Sequence, residues 1–221
     1  MGAGIAQLAC LSGARTLLHD PLPEALDRGM ERIRAQLERG VERGRISEAE
    51  AADATGRLEP AAQLGELAPC ELVIEAAPES LELKVSLFRQ LADGVVTERC
   101  VLATNTSSLL VTAVAAGVAR PERVVGMHFF NPPPVMRLLE VVAGEESSPE
   151  ALALARAAGQ AMGKHVIEAA DGPGFLVNRC NRPFGLEALK LLQERVASIE
   201  QIDLICRLGG GCGFGRLGTP R

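Results

Sequence analysis

The sequence predicts a doubly wound α/β sheet followed by the start of an all-α region, and three observations predict it. Short apolar runs alternate with amphipathic helical patterns from residue 15 to residue 169, the order that builds a mostly parallel sheet. The alternation stops at Asp171-Gly172-Pro173-Gly174, and the pattern from Phe175 to about Leu208 is helical alone. The opening, Met1-Gly2-Ala3-Gly4-Ile5-Ala6-Gln7-Leu8-Ala9, reads as a helix entered through glycines. The expected division is therefore 1–171 and 172–221.

Arg15 to His19 is a short apolar strand ending at Asp20. A glycine-rich helix start, a strand and an acid at its end are parts of a dinucleotide-binding βαβ unit. Gly2 would be the third glycine of G-x-G-x-x-G, with the preceding strand and the first two glycines absent. Such combinations are common, so this unit needs support from elsewhere in the chain. Leu26, Met30, Ile33, Leu37 and Val41 then form one apolar stripe on a long charged helix from Pro23 to about Arg45. Its arginines (Arg28, Arg32, Arg34, Arg39, Arg43, Arg45) suit a solvated face or a surface that receives phosphates. Ser47-Glu48-Ala49-Glu50 is a capping box for a second helix.

Beyond it, Glu71 to Glu75 is a strand, Leu81 to Ala92 a helix and Cys100 to Ala103 a strand. Ser108 to Ala116 is helical, Arg123 to His128 strand, and Leu138 to Val142 strand again after a proline turn. Ser148-Pro149-Glu150 caps a helix running to about Gly163, and Lys164 to Ala169 is the last strand. The tail from Gly209 has no periodicity.

In an open parallel sheet, ligands sit beyond the carboxyl ends of the strands. Three candidates fall there: Ala76 to Glu79, Asn105-Thr106-Ser107-Ser108, and His128. Ser107 or Ser108 could equally serve only as a cap for the next helix. Glu140, inside Leu-Leu-Glu-Val-Val, is a carboxylate in an apolar strand, which is costly unless paired. If the strands on either side of the proline turn lie side by side, His128 is its partner, and the pair is what a general base needs. Only His19 and His165 offer other imidazoles, and Asn178 lies at the interdomain junction, a usual place for substrates.

Composition excludes several classes. Net charge is −5, the basic residues form no extended tract, and Tyr and Trp are absent, so a nucleic-acid partner is not expected. No apolar run reaches the ~18–20 residues that span a bilayer, so no membrane partner is expected. The six cysteines form no C-x-x-C pair, which argues for reduced thiols in the cytoplasm and against a metal site.

From Met1 to about Leu208 the chain resembles the 3-hydroxyacyl-CoA dehydrogenases, carried by three segments in order. They are Asn-Thr-Ser-Ser-Leu from Asn105, His-Phe-Phe-Asn-Pro from His128, and Pro-Gly-Phe-Leu-Val-Asn-Arg from Pro173. The resemblance implies a Rossmann-type domain and NAD-dependent oxidation of (S)-3-hydroxyacyl-CoA in fatty acid or short-chain acyl-CoA metabolism. It implies His128 as base, Glu140 as its orienting carboxylate, and Ser107 and Asn178 as hydrogen-bond donors to the substrate oxygen. Gly2, Ala3 and Gly4 fall on the pyrophosphate loop and Asp20 on the ribose acid. Ala76, Glu79, Lys84 and Asn131 fall on further cofactor contacts. Arg43 stands where the family often has a lysine for CoA phosphates, whereas Gln36 replaces a small hydroxyl that can contact CoA. The family is homodimeric through a helical C-terminal domain. Here the first strand is absent and the pattern after Leu208 turns glycine-rich, so the resemblance implies a chain cut short at both ends. Two other readings keep parts of this pattern. One is a dehydrogenase of a free hydroxy acid, of L-gulonate type; the other is a structural relative without turnover.

Overall fold

The computed structural model describes residues 1–209 of the chain. In order, the elements are α1 (Gly2–Leu11), β1 (Thr16–His19), α2 (Pro23–Glu42), α3 (Glu48–Gly56) and β2 (Leu58–Ala61). There follow β3 (Leu72–Glu75), α4 (Leu81–Gly94), β4 (Val101–Thr104), α5 (Val111–Ala115), β5 (Val124–Phe129) and β6 (Leu138–Ala143). The rest are α6 (Pro149–Ala161), β7 (His165–Ala170), α7 (Val177–Gln193) and α8 (Ile199–Leu208).

The strands form a five-stranded sheet, in the order β3-β4-β5-β6-β7, and a separate pair, β1-β2. β3, β4 and β5 are parallel, as the β-α alternation predicts. The sheet is nevertheless mixed, because β6 runs antiparallel to β5, with β7 parallel to β6. The proline segment between β5 and β6 is too short for a crossover and can join neighbours only as an antiparallel pair. β1 has only β2 beside it and β3 only β4, so each keeps an edge with no strand partner among the described residues. Leu72, Val73 and Ile74 are accordingly half-buried, whereas β4 and β5 are buried along their whole length. β2 was not expected from the sequence: Leu-Glu-Pro-Ala carries a proline that only an edge strand tolerates.

The core follows the apolar patterns. Leu26, Met30, Ile33 and Leu37 of α2 pack with Cys10 and Ala54, the predicted stripe meeting α1 and α3. α6 packs onto the sheet through Ala151 and Ala155. Its small face is obligatory at Gly159, where a Cβ would lie 2.4 Å from Leu139 Cδ2. That close approach sets the position of β6. The predicted capping box forms at Ser47, whose hydroxyl accepts from the Glu50 amide while Glu50 accepts from the Ser47 amide.

The chain divides into two compact units, the first ending at Pro173 and the second beginning at Gly174. Within the second, α7 and α8 are joined by a short turn, and Ser198 and Gln201 form a capping box on α8. The residues from Gly210 onward, including Cys212, lie outside the described part.

Candidate active site

The loops after β3, β4 and β5 emerge at one edge of the parallel part of the sheet, the place where such sheets bind ligands. His128, next to the last residue of β5, faces Glu140 directly across the antiparallel ladder. The ring Nδ1 lies 2.6 Å from Glu140 Oε2. Glu140 is fully buried and His128 only 5% exposed, so the pair sits in a water-poor setting. Phe130 packs against the imidazole with ring centroids 4.5 Å apart. The sequence expectation that these residues meet is thus realised, and the ladder register is the reason.

The second cluster gathers around Glu79. Its Oε1 accepts from the Thr106 hydroxyl, the Ser107 amide (3.1 Å), the Ser108 amide (3.2 Å) and the Ser108 hydroxyl (2.9 Å). Burial works to raise the Glu79 carboxyl, but these hydrogen bonds and the nearby Lys84 charge outweigh it and hold it below its ordinary value. Asn105 Oδ1 accepts from the Phe129 amide at 2.9 Å, which fastens the loop to the strand carrying His128. Ser107 itself is exposed on that loop.

Lys84 lies in the interior. Its side chain is 1% exposed, and its ammonium donates to Glu75 Oε1 at 2.7 Å and to the Ala77 carbonyl at 3.3 Å, with Glu79 at 3.5 Å. Its ammonium is therefore engaged by three groups of the protein. Glu75 also accepts from the Thr104 hydroxyl at 2.8 Å, completing a buried polar network under the two loops.

The other residues expected at the cofactor lie at the start of α1, in the proline turn and after β1. Gly2, Ala3 and Gly4 open α1, whose N-terminus has no side-chain cap. Uncapped helix amides of this kind hold phosphate groups. A Cβ at Gly2 would be 3.9 Å from the Ala76 methyl, so the start of α1 lies beside the end of β3. A Cβ at Gly4 would press on Pro133 and Pro134 at 3.1 and 3.2 Å, so the glycine lets the proline turn sit against the helix start. Lys164 closes that turn, donating to the Pro133 carbonyl at 2.5 Å and the Met136 carbonyl at 2.8 Å, and burial pushes its ammonium below the usual lysine range. Asn131 opens the turn and is exposed, with a cis bond to Pro132. Asp20 follows β1 directly and is half-buried, one oxygen accepting from the Leu22 amide. These groups fit a dinucleotide: amides for a pyrophosphate and a carboxylate for ribose hydroxyls.

Three other expected residues lie on α2 and α7 or at their ends. Arg43 is exposed at the C-terminal end of α2, and Gln36 sits within that helix. Asn178 occupies the first turn of α7 in the second unit. No group of three or more His, Cys, Asp or Glu side chains suited to a metal occurs among the described residues. No helix among them is long and apolar enough to cross a membrane.

Comparisons with known proteins place the chain in a family. The sequence pattern described as "3-hydroxyacyl-CoA dehydrogenase, NAD binding domain" matches residues 1–172, and that of the C-terminal domain matches 174–219. The chain belongs to the 3-hydroxyacyl-CoA dehydrogenase family. Its first 172 residues are the family's NAD-binding domain. It is 44% identical over 217 residues to the 3-hydroxyadipyl-CoA dehydrogenase of Escherichia coli K12, covering 98% of this chain and 46% of that protein. A probable 3-hydroxybutyryl-CoA dehydrogenase of Bacillus subtilis is 40% identical over 209 residues, covering 95% of this chain and 72% of the relative. The crystal structure of (S)-3-hydroxybutyryl-CoA dehydrogenase from Ralstonia eutropha superposes with a TM-score of 0.94 at 37% identity, covering 98% of this chain and 76% of that one.

Proposed function

We propose that this chain serves the NAD-dependent oxidation of an (S)-3-hydroxyacyl-CoA to the 3-oxoacyl-CoA, with His128 as general base. The observation that carries the reading is the buried His128–Glu140 pair at the carboxyl end of β5. With Nδ1 held by the carboxylate, Nε2 is the nitrogen that takes the proton of the substrate hydroxyl, and Glu140 steadies the imidazolium that forms. Bound NAD supplies the hydride acceptor. Ser107 and Asn178 donate hydrogen bonds to the substrate oxygen as its charge changes. Gly2, Ala3 and Gly4 receive the pyrophosphate, and Ala76, Glu79 and Asn131 line the cofactor's path. Asp20 accepts from ribose hydroxyls and would repel a 2′-phosphate, which favours NAD over NADP. Arg43 meets the CoA phosphates.

The relatives' names, with adipyl and butyryl substrates, support an acyl-CoA substrate and a place in fatty acid or short-chain acyl-CoA breakdown. We assign the protein to the cytoplasm, which suits the unpaired thiols Cys10, Cys70, Cys100, Cys180 and Cys206. The test is His128→Gln assayed on 3-hydroxybutyryl-CoA by NADH absorbance. Loss of a general base should lower turnover by about 10³-fold. Turnover near that of the parent would end this assignment.

A further inference from the structure

Helix α5 is five residues long, and the Leu110 that precedes it has no side-chain oxygen to cap it. The cap comes instead from Asp171, sixty residues along the chain. Its Oδ1 accepts from the Val111 amide at 3.1 Å, and its Oδ2 from the Thr112 amide at 2.8 Å and the Thr112 hydroxyl at 2.7 Å. Thr112 Oγ1 in turn accepts from the Glu145 amide at 3.0 Å. The Asp171 amide donates to the Ala143 carbonyl at 3.0 Å, so the carboxylate is anchored on the β6–β7 ladder.

The residues nearest α5 that could have capped it are otherwise engaged. The Thr106 and Ser108 hydroxyls donate to Glu79. Val111 is also fixed from below: a Cβ at Gly126 would lie 2.9 Å from its Cγ2, so only glycine there lets α5 start so close to β5. The 105–110 loop is therefore held at its entry by Asn105 on Phe129, at its middle by Glu79, and at its exit by Asp171.

We propose that Asp171 is a positioning residue for the Ser107 loop. By taking over the cap of α5, it releases Ser107 and Ser108 from helix duty and fixes where the loop must end. Asp171 is followed directly by the Gly172-Pro173 link into the second unit. The bearing on catalysis rests on Ser107 as a substrate-oxygen contact; the loop-fixing role does not.

Asp171→Asn keeps the size but replaces one acceptor oxygen by an amide nitrogen that cannot accept from Thr112. Hydrogen exchange at amides 106–112 should quicken about tenfold, while β5 amides keep their protection. Turnover should fall about tenfold with the KM for NAD changed by no more than about twofold. The second variant adds Leu110→Asp, a local cap at a position 41% exposed. It should restore the melting temperature, while amides 106–109 stay quick and turnover stays low. Unchanged exchange at 106–109 in Asp171→Asn, or turnover fully recovered by Leu110→Asp, overturns the proposal. If Ser107→Ala has full turnover, the oxygen-contact reading fails, and the exchange result still decides whether Asp171 fixes the loop.

Discussion

Two buried carboxylates lie near the carboxyl ends of the parallel strands, each with a nitrogen partner at short range, and the proposed function gives them opposite roles. Glu75 meets the Lys84 ammonium at 2.7 Å, and Glu140 meets the His128 ring at 2.6 Å. All four side chains are nearly or fully buried. Glu75 spends one oxygen on Lys84 and the Ala77 amide and the other on Thr104, a fixed ion pair that braces the loops above it. Glu140 instead holds the Nδ1 of an imidazole. Burial and a short distance do not by themselves mark chemistry. In the function proposed above the difference lies in the partner, since an imidazole can take and pass on a proton.

Breaking the two pairs should separate these roles. The largest expected effect is on turnover: Glu140→Gln should lower it by about 10²-fold while the protein stays folded, because the imidazole loses its orienting charge. Lys84→Met should instead act on stability. It strands the Glu75 carboxylate in the interior, and breaking a buried pair in this way costs about 3–5 kcal/mol. Thermal melts should show the loss, and Glu75→Gln combined with Lys84→Met should recover most of it. A stable Lys84→Met protein with turnover as poor as Glu140→Gln would merge the two roles.

The smallest effect concerns acid. Glu79 has its folded value depressed, so its contribution to stability is complete above the ordinary value of 4.5 and is lost as pH falls through the folded one. The difference in unfolding midpoint between the parent and Glu79→Gln should therefore be constant near neutrality and shrink on acidification below about pH 4.5. A difference that grows with acid would reverse the sign argued for Glu79.

Much of this was legible in the sequence because it depends on local pattern. A lone carboxylate in Leu-Leu-Glu-Val-Val, with a histidine across a proline turn, announces a cross-strand pair. The Ser47–Glu50 box and the Ser148-Pro149 start are read from spacing alone, and both caps form. What escaped depends on distant contacts. Lys84 lies in an ordinary amphipathic pattern, and nothing near it reveals that its ammonium meets Glu75 inside the fold. The sequence left open whether Ser107 or Ser108 caps the next helix; the cap of α5 is Asp171, which sequence spacing cannot bring there. β2 is four residues long, carries Pro60 and pairs at an edge, so it lacks the apolar run that marks the other strands. The reversal of β6 follows from the turn length, a cue that the alternation of strands and helices masks.

The most direct test of the account is the turnover of His128→Gln, Glu140→Gln and the double variant on 3-hydroxybutyryl-CoA with NAD. If Glu140 acts only through the imidazole, its loss does nothing once His128 is gone, and the double variant should be no slower than His128→Gln alone. Losses that multiply would show that the two side chains work independently and would contradict the pair as one catalytic unit.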